Sequence, residues 1–112
     1  MADLQIEMRR VSGATILDLT GEVDSYNAPK LRDRMERLIA EGESQLIINL
    51  SKVDYIDSTG IGMLVGGLKQ ASEAGGGIKL ICPNKDVYRL FHITNLTRAF
   101  PIHDTEQAAL EA

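Results

Sequence analysis

The feature that most constrains the fold is a nearly continuous apolar run, LIINL, at residues 46–50. A strand with one face in water alternates apolar and polar side chains, whereas a strand covered on both faces stays apolar throughout. We therefore expect this run at the centre of a sheet covered by helices. The chain has 112 residues, of which 44% are hydrophobic. That size and apolar content suit one compact domain spanning residues 1–112.

The segments before this run predict a hairpin and a helix. Residues 4–8 and 15–19 alternate apolar and polar side chains on either side of a Ser12-Gly13 turn signal. A helix is then expected to open at Asn27 and Pro29 and to close at Gly42. Its apolar face would carry Ala28, Leu31, Met35, Leu38 and Ile39, and its outer face Arg32, Asp33, Glu36 and Arg37.

The segments after the run predict three helices and two strands. Following a loop, the apolar residues Ile61, Leu64, Val65 and Leu68 recur at helical spacing up to the glycines at 75–77. A strand is expected at 78–82. A third helix should follow Pro83 and Asn84 and bury Val87, Leu90 and Phe91. A short strand at 100–102 and a helix capped by Asp104 or Thr105 and running to Glu111 would end the chain. The order β-β-α-β-α-β-α-β-α predicts an α/β fold with a mixed sheet.

Composition excludes several classes of function. The formal net charge is -4, and the 12 basic residues are spread along the chain, so a nucleic-acid partner is not expected. The apolar runs are shorter than the roughly 20 residues of a membrane span, and no basic region precedes an apolar stretch at the N-terminus, which predicts a cytoplasmic protein without a membrane partner. Cys82 is the only cysteine and is expected in the core at a strand end, and His92 and His103 lack further ligands at metal spacing. We expect no metal and no cofactor.

The segment at residues 54–63, DYIDSTGIGM, enters a helix that is unusually rich in glycine. Gly60, Gly62, Gly66 and Gly67 lie in or beside it. Each interior glycine costs roughly 1 kcal/mol relative to alanine, so this pattern indicates a need for close approach. The approaching group is either a neighbouring element of the fold or a binding partner, and the sequence leaves both readings open.

Ser58 stands where this helix is expected to begin. Its hydroxyl could cap free backbone N–H groups, and a phosphate on it would meet the positive end of the helix dipole. Adding roughly two negative charges beside Asp57 would desolvate badly and repel acidic groups of a partner. The alternative is that Ser58 serves only as an N-cap. Thr59 could cap or accept a phosphate as well.

Enzyme motifs match this segment poorly. A serine hydrolase elbow needs glycine two residues before and after the serine, but Ile56 occupies the first position, and His92 or His103 would have to act as the base. The aspartic protease motif has one residue between Asp and Gly, where this chain has two. Val65 stands at the third glycine of a dinucleotide fingerprint, and the Gly-Lys-Ser/Thr ending of a phosphate loop is missing. We therefore predict a protein without enzymatic activity.

Three blocks of the chain resemble the anti-sigma factor antagonists of the STAS domain family: LTGEVD at 19–24, DSTGIG at 57–62 and RLFHITNL at 89–96. The resemblance covers nearly the whole chain. Family members that act as phosphorylation switches carry Asp-Ser-[Ser/Thr]-Gly-[Leu/Ile]-Gly in the middle block, and no position of it is missing here. In the last block, His92 and Asn95 replace the acidic residue and the glycine that are frequent in relatives.

This resemblance implies a single STAS domain that acts by partner switching in transcription regulation and the stress response. The unphosphorylated form would bind a serine-kinase anti-sigma factor and displace the sigma factor. Phosphorylation of Ser58 by that kinase would end binding, and a metal-dependent serine phosphatase would restore it. The nucleotide is expected on the kinase. The implied contact surface comprises Asp24, Ser25, Asp57, Ser58, Thr59, Gly60, Ile61, Gly62, Met63 and Gly66.

A second interpretation of the same resemblance is a STAS subunit of a transport, lipid-trafficking or stress-sensing assembly. The complete phosphorylation motif and the absence of an apolar span in the sequence argue against a transport subunit. A small-molecule enzyme is the third interpretation and has the least support from the motifs.

Overall fold

The computed structural model describes residues 3–112, and its centre is a five-stranded sheet in the order β1-β2-β3-β4-β5. Strands β1 (Gln5–Val11) and β2 (Ala14–Val23) form the expected antiparallel hairpin. Strands β3 (Gln45–Ile56), β4 (Gly77–Ile81) and β5 (Ile102–His103) then add in parallel, one beside the other. The apolar run 46–50 lies in β3, in the middle of the sheet, as predicted.

Four helices connect or follow these strands: α1 (Ala28–Ala40), α2 (Ser58–Glu73), α3 (Lys85–Ile93) and α4 (Glu106–Glu111). A short 3-10 turn, Leu96–Arg98, precedes β5. The predicted fold class, a mixed α/β sheet, and the predicted order of strands and helices are therefore confirmed, with this turn as an addition.

The helices cover the two faces of the sheet unequally. Alternate residues of β3, such as Ile48 and Leu50, pack with α1, α2 and α3 into the larger core. On the opposite face, Ile47 packs with Ile16, Ile81 and Ala109, so α4 covers only part of that face. The two cores explain why the central run is apolar on both sides.

The ends of the helices follow their sequence signals. Asn84 accepts hydrogen bonds from the N–H groups of Asp86 and Val87 at the start of α3. Thr105, the second of the two expected caps, accepts one from Ala108 N–H at the start of α4. After α1, Gly42 adopts φ +90°, in the left-handed region where glycine is favoured. Pro29 occupies the first turn of α1, where a missing N–H costs no hydrogen bond.

Several predicted boundaries were wrong. The expected loop after the central run is strand, because β2 extends to Val23 and pairs Val23 with Ile56. The last strand is Ile102–His103 rather than 100–102, because Ala99 N–H closes the 3-10 turn on the Leu96 carbonyl and Phe100 donates its N–H to the same carbonyl. Strand β4 runs one residue earlier than predicted, and the Cys82 side chain after it is buried.

The buried faces of two helices also differ slightly from the prediction. In α2, Ile61 and Leu64 are buried and Leu68 packs against the core, but Val65 is 39% exposed. In α3, Val87 and Phe91 are buried and Leu90 is only partly buried. The apolar pattern of a short helix fixes its inward face to within about one residue.

Candidate partner-binding and phosphorylation site

Asp57 occupies the single position between β3 and α2, and it joins two loops at the carboxyl ends of β2 and β3. Its Oδ1 accepts a hydrogen bond from Gly60 N–H at 2.9 Å, and its Oδ2 accepts one from Ser25 N–H at 3.0 Å. Its own N–H donates to the Val23 carbonyl at 3.0 Å. The start of α2 is thereby fixed against the loop between β2 and α1.

That loop is held by side chains at both of its ends. Asp24 Oδ1 accepts hydrogen bonds from the N–H groups of Tyr26 and Asn27, each at 3.0 Å. Asn27 Oδ1 accepts from Asp24 N–H, and its Nδ2 donates to the Glu22 carbonyl at 2.8 Å. Asn27 is buried, so its amide acts as an internal brace for the loop.

Ser58 is the first residue of α2 and is exposed. The cap of this helix is Asp57, with φ -99° and ψ 179°, so the predictions of capping by Ser58 or Thr59 were wrong. A carboxylate in extended backbone accepts the third N–H of the helix, which leaves the Ser58 hydroxyl with no capping role. Within residues 3–112, neither the Ser58 nor the Thr59 hydroxyl makes a hydrogen bond. Thr59 is partly buried, so Ser58 is the more accessible hydroxyl.

The four glycines of α2 divide into two pairs. A Cβ on Gly60 would lie 2.7 Å from Val23 Cγ1, and a Cβ on Gly67 would lie 2.8 Å from the Met35 thioether, so both admit internal neighbours. A Cβ on Gly62 or Gly66 would meet no atom within 4 Å, and both residues are exposed. A neighbouring element therefore accounts for Gly60 and Gly67, whereas the backbone at Gly62 and Gly66 is open to solvent.

Gly62 and Gly66 line a small groove of about 90 Å³ between α1 and α2, together with Met63. Arg32 and Glu36 of α1 line its other side. Because Gly60 and Ile61 are buried, they support the site from inside. The predicted contact residues that reach the surface are Asp24, Ser25, Asp57, Ser58, Thr59, Gly62, Met63 and Gly66.

Tyr26 belongs to the same loop and was missed by the sequence analysis. Its side chain is 81% exposed, next to Ser25. A loop residue contributes to no periodic pattern, so apolar spacing does not detect it. The available signal was an aromatic residue in a turn of a chain with only 4% aromatic residues.

The resolved pKa shifts lie away from this site. Hydrogen bonds from Arg10 and then Thr15 lower the pKa of Glu43 to about 2. Arg9 lowers the pKa of Asp18 and also pairs with Glu106 at 2.5 Å, which ties α4 to the hairpin. Burial raises the pKa of the Cys82 thiol to about 11.

The other candidate residues do not form a site. His92 is exposed on α3 and His103 lies in β5, and no hydrogen bond of the described chain joins either one to Ser58. Among residues 3–112, no group of three or more His, Cys, Asp or Glu side chains could hold a metal ion. None of the helices in the same range is long and apolar enough to cross a membrane.

Residues 5–109 match the model of the STAS domain. The chain belongs to the STAS domain family. The match confirms the resemblance carried by the three sequence blocks. Over 109 residues the chain is 31% identical to the anti-sigma F factor antagonist of Paenibacillus polymyxa, covering 96% of this chain and 93% of that protein.

Three solved structures share this fold. A candidate anti-sigma factor antagonist from Thermotoga maritima superposes with a TM-score of 0.89 at 32% identity, over 95% of this chain and 92% of that one. The anti-sigma factor antagonist SpoIIAA of Bacillus superposes at 22% identity with TM-scores of 0.75 for its unphosphorylated form and 0.74 for its phosphorylated form. These alignments cover 97% of this chain and 96% and 97% of SpoIIAA, respectively, and show a shared fold.

Proposed function

We propose that this STAS protein is an anti-sigma factor antagonist that is switched by phosphorylation of Ser58. The observation that carries the proposal is the Ser58 hydroxyl, which is exposed at the first position of α2 and free of hydrogen bonds within residues 3–112. Asp57 caps the helix, so Ser58 is available for another role. The sequence relatives named as anti-sigma factor antagonists support the same assignment.

The unphosphorylated form binds a serine-kinase anti-sigma factor through the surface around Ser58 and releases the sigma factor. Contacts come from Asp24 and Ser25 of the β2–α1 loop and from the exposed side of α2 at Gly62, Met63 and Gly66. The two open glycines keep that side of α2 flat, so a partner can approach the helix backbone. The chain itself performs no catalysis, and the kinase holds the nucleotide.

Phosphorylation ends binding mainly because it adds charge to a surface that becomes buried in the complex with the kinase. The phosphate carries roughly -1.5 to -2 charges at neutral pH, and removing it from water without a matched cation is costly. Asp57 precedes Ser58 and also holds the loop that carries Asp24, so the phosphate joins a surface that already bears two carboxylates. The switch requires no change of fold, which agrees with the nearly equal similarity of this chain to both forms of SpoIIAA.

The test is a titration of four variants against a serine-kinase anti-sigma factor of the source organism that binds the wild type. Ser58→Asp is expected to raise Kd about 100-fold or more, because it buries an unpaired carboxylate. Asparagine has the same size as aspartate but no charge, so Ser58→Asn is expected to bind within about tenfold of the wild-type Kd. Ser58→Ala and Thr59→Ala should bind like wild type.

Three results would count against this proposal. If no such kinase binds the wild type, the chain has another function. If Ser58→Asp binds as tightly as wild type, Ser58 is not the switch. If Ser58→Asn fails as badly as Ser58→Asp, bulk rather than charge controls binding.

A metal-dependent serine phosphatase returns the protein to its binding form. The exposed position of Ser58 supports this step, since the phosphate would remain accessible to a second enzyme. Incubating phosphorylated protein with such a phosphatase and Mn²⁺ should restore kinase binding, and adding a chelator should prevent it.

A further inference from the structure

Tyr26 is more exposed than any other large hydrophobic side chain of residues 3–112. It is 81% exposed, compared with 67% for Ile93 and 39% for Tyr88. The chain contains only three tyrosines and no tryptophan, so it places a scarce aromatic ring in solvent. Exposed tyrosines are enriched at protein interfaces, because the ring gives a large contact area and loses little conformational entropy on binding.

The backbone of Tyr26 is fixed on both sides although its ring is free. Asp24 Oδ1 accepts the Tyr26 N–H at 3.0 Å, and Asp57 Oδ2 accepts the N–H of the preceding Ser25 at 3.0 Å. The following residue, Asn27, is buried. A ring that projects from a rigid backbone reduces the entropy cost of binding, so Tyr26 is preorganised for a partner.

The chain segments around this ring carry more carboxylates than cations. Segments 20–29 and 53–68 contain Glu22, Asp24, Asp54 and Asp57 and have no lysine or arginine, while Lys30 and Lys52 flank them and Lys30 donates its ammonium group to the Leu4 carbonyl. All four carboxylates lie at the carboxyl ends of the adjacent parallel strands β2 and β3. A complementary partner surface has to be basic, since like charges across an interface cost several kcal/mol.

We propose that Tyr26 is the anchor residue of the kinase interface and that the anti-sigma factor receives it in an apolar recess whose basic side chains are already paired with Glu22 and Asp24, so that they are not free to neutralise a phosphate on Ser58. This inference rests on the proposed function and names the chemistry of its partner. Asp57 serves both parts of the surface, because it caps the helix that carries Ser58 and holds the loop that carries Tyr26. The carboxylates then steer the basic side chains of the kinase toward the site, and the tyrosine ring acts as a hot spot of the interface.

The test measures binding of Tyr26→Ala, Tyr26→Phe and Tyr88→Ala to the anti-sigma factor that binds the wild type. Tyr26→Ala is expected to raise Kd about 30-fold or more, the level of an interface hot spot. Tyr26→Phe keeps the ring and should remain within about threefold of wild type. Tyr88 is a matched control, since it is an exposed tyrosine on α3, and its variant should also stay within about threefold. The wild-type association rate should fall about tenfold or more between about 50 mM and about 500 mM NaCl.

The outcomes separate this inference from the proposed switch. If Ser58→Asp abolishes binding but Tyr26→Ala binds like wild type, the switch stands and the anchor is wrong. If Tyr26→Ala fails but Ser58→Asp binds normally, the anchor stands and the switch is wrong. An association rate that does not change with salt concentration would contradict the proposed basic side chains of the kinase. Equal melting temperatures for Tyr26→Ala and wild type are expected, and a large loss of stability would show that Tyr26 supports the fold instead.

Discussion

Asp57 holds two loops with one carboxylate, so Asp57→Ala should destabilise the protein by an amount that the structure allows to be worked out. Loss of the cap on Gly60 N–H costs about 1 kcal/mol. Loss of the bond to Ser25 N–H adds about 0.5–1 kcal/mol, because Ser25 is exposed and water replaces the carboxylate. The expected total is about 1.5–2 kcal/mol. At this chain length that corresponds to a decrease in melting temperature of about 6–8 °C.

Urea unfolding followed by circular dichroism measures the free-energy change directly, with an unchanged dependence on denaturant expected for each variant. Asp54→Ala is the matched control, because Asp54 is exposed and its side chain makes no hydrogen bond or ion pair within residues 3–112. Both Asp54→Ala and Ser58→Ala should change stability by less than about 0.5 kcal/mol. If Ser58→Ala is the more destabilising variant and Asp57→Ala is neutral, the assignment of Asp57 as the cap is wrong.

Three further predictions concern the glycines of α2, the ion pair of Arg10 with Glu43 and the buried thiol of Cys82. Gly62→Ala and Gly66→Ala should each raise stability by up to about 1 kcal/mol in thermal unfolding, whereas Gly60→Ala should lower it, because its Cβ would lie 2.7 Å from Val23 Cγ1 and 2.8 Å from Ile56 Cγ1. Equal effects at all three positions would contradict this division. The stabilisation from Glu43 is present above its ordinary pKa and is lost as the pH falls toward about 2, since Arg10 lowers the pKa in the folded state to about 2. Glu43→Gln should therefore be less stable than wild type at neutral pH, and the difference, measured by urea unfolding, should become small as the pH approaches 2; a difference that stays constant between neutral pH and pH 2 would exclude this pair as its cause. Cys82 is 2% exposed and its thiol pKa is raised to about 11, so a thiol reagent at about pH 8 should react only as fast as the protein opens. Rapid reaction without urea would show that the thiol is accessible.

The order of strands and helices was predictable because hydrophobic periodicity determines which residues face the core. The run at 46–50 and the spacing of Leu31, Met35 and Leu38 each identified a buried face that the structure confirms. The ends of elements were less predictable, because they depend on pairing across the sheet. The extension of β3 to Ile56 follows from its pairing with Val23, which lies far away in sequence.

The candidate site was predictable in position but not in detail. Asp57, Ser58 and Thr59 are all residue types that cap helices, and only the extended backbone of Asp57 distinguishes them. The glycine pattern likewise gave two readings, which depend on whether Val23 and Met35 approach a given glycine. Hydrophobic periodicity could not identify Tyr26, because its exposure is set by the tertiary packing of its loop.

The central claim is most directly tested by phosphorylation with the cognate kinase. The protein is incubated with that serine-kinase anti-sigma factor and ATP, the modified residue is located by mass spectrometry, and the binding of the phosphorylated form is then measured. The account predicts a single phosphate on Ser58, none on the Ser58→Ala variant, normal modification of Thr59→Ala, and loss of kinase binding by the phosphorylated protein. Phosphate on Thr59 instead, or a phosphorylated form that binds the kinase as tightly as the unmodified protein, would contradict it.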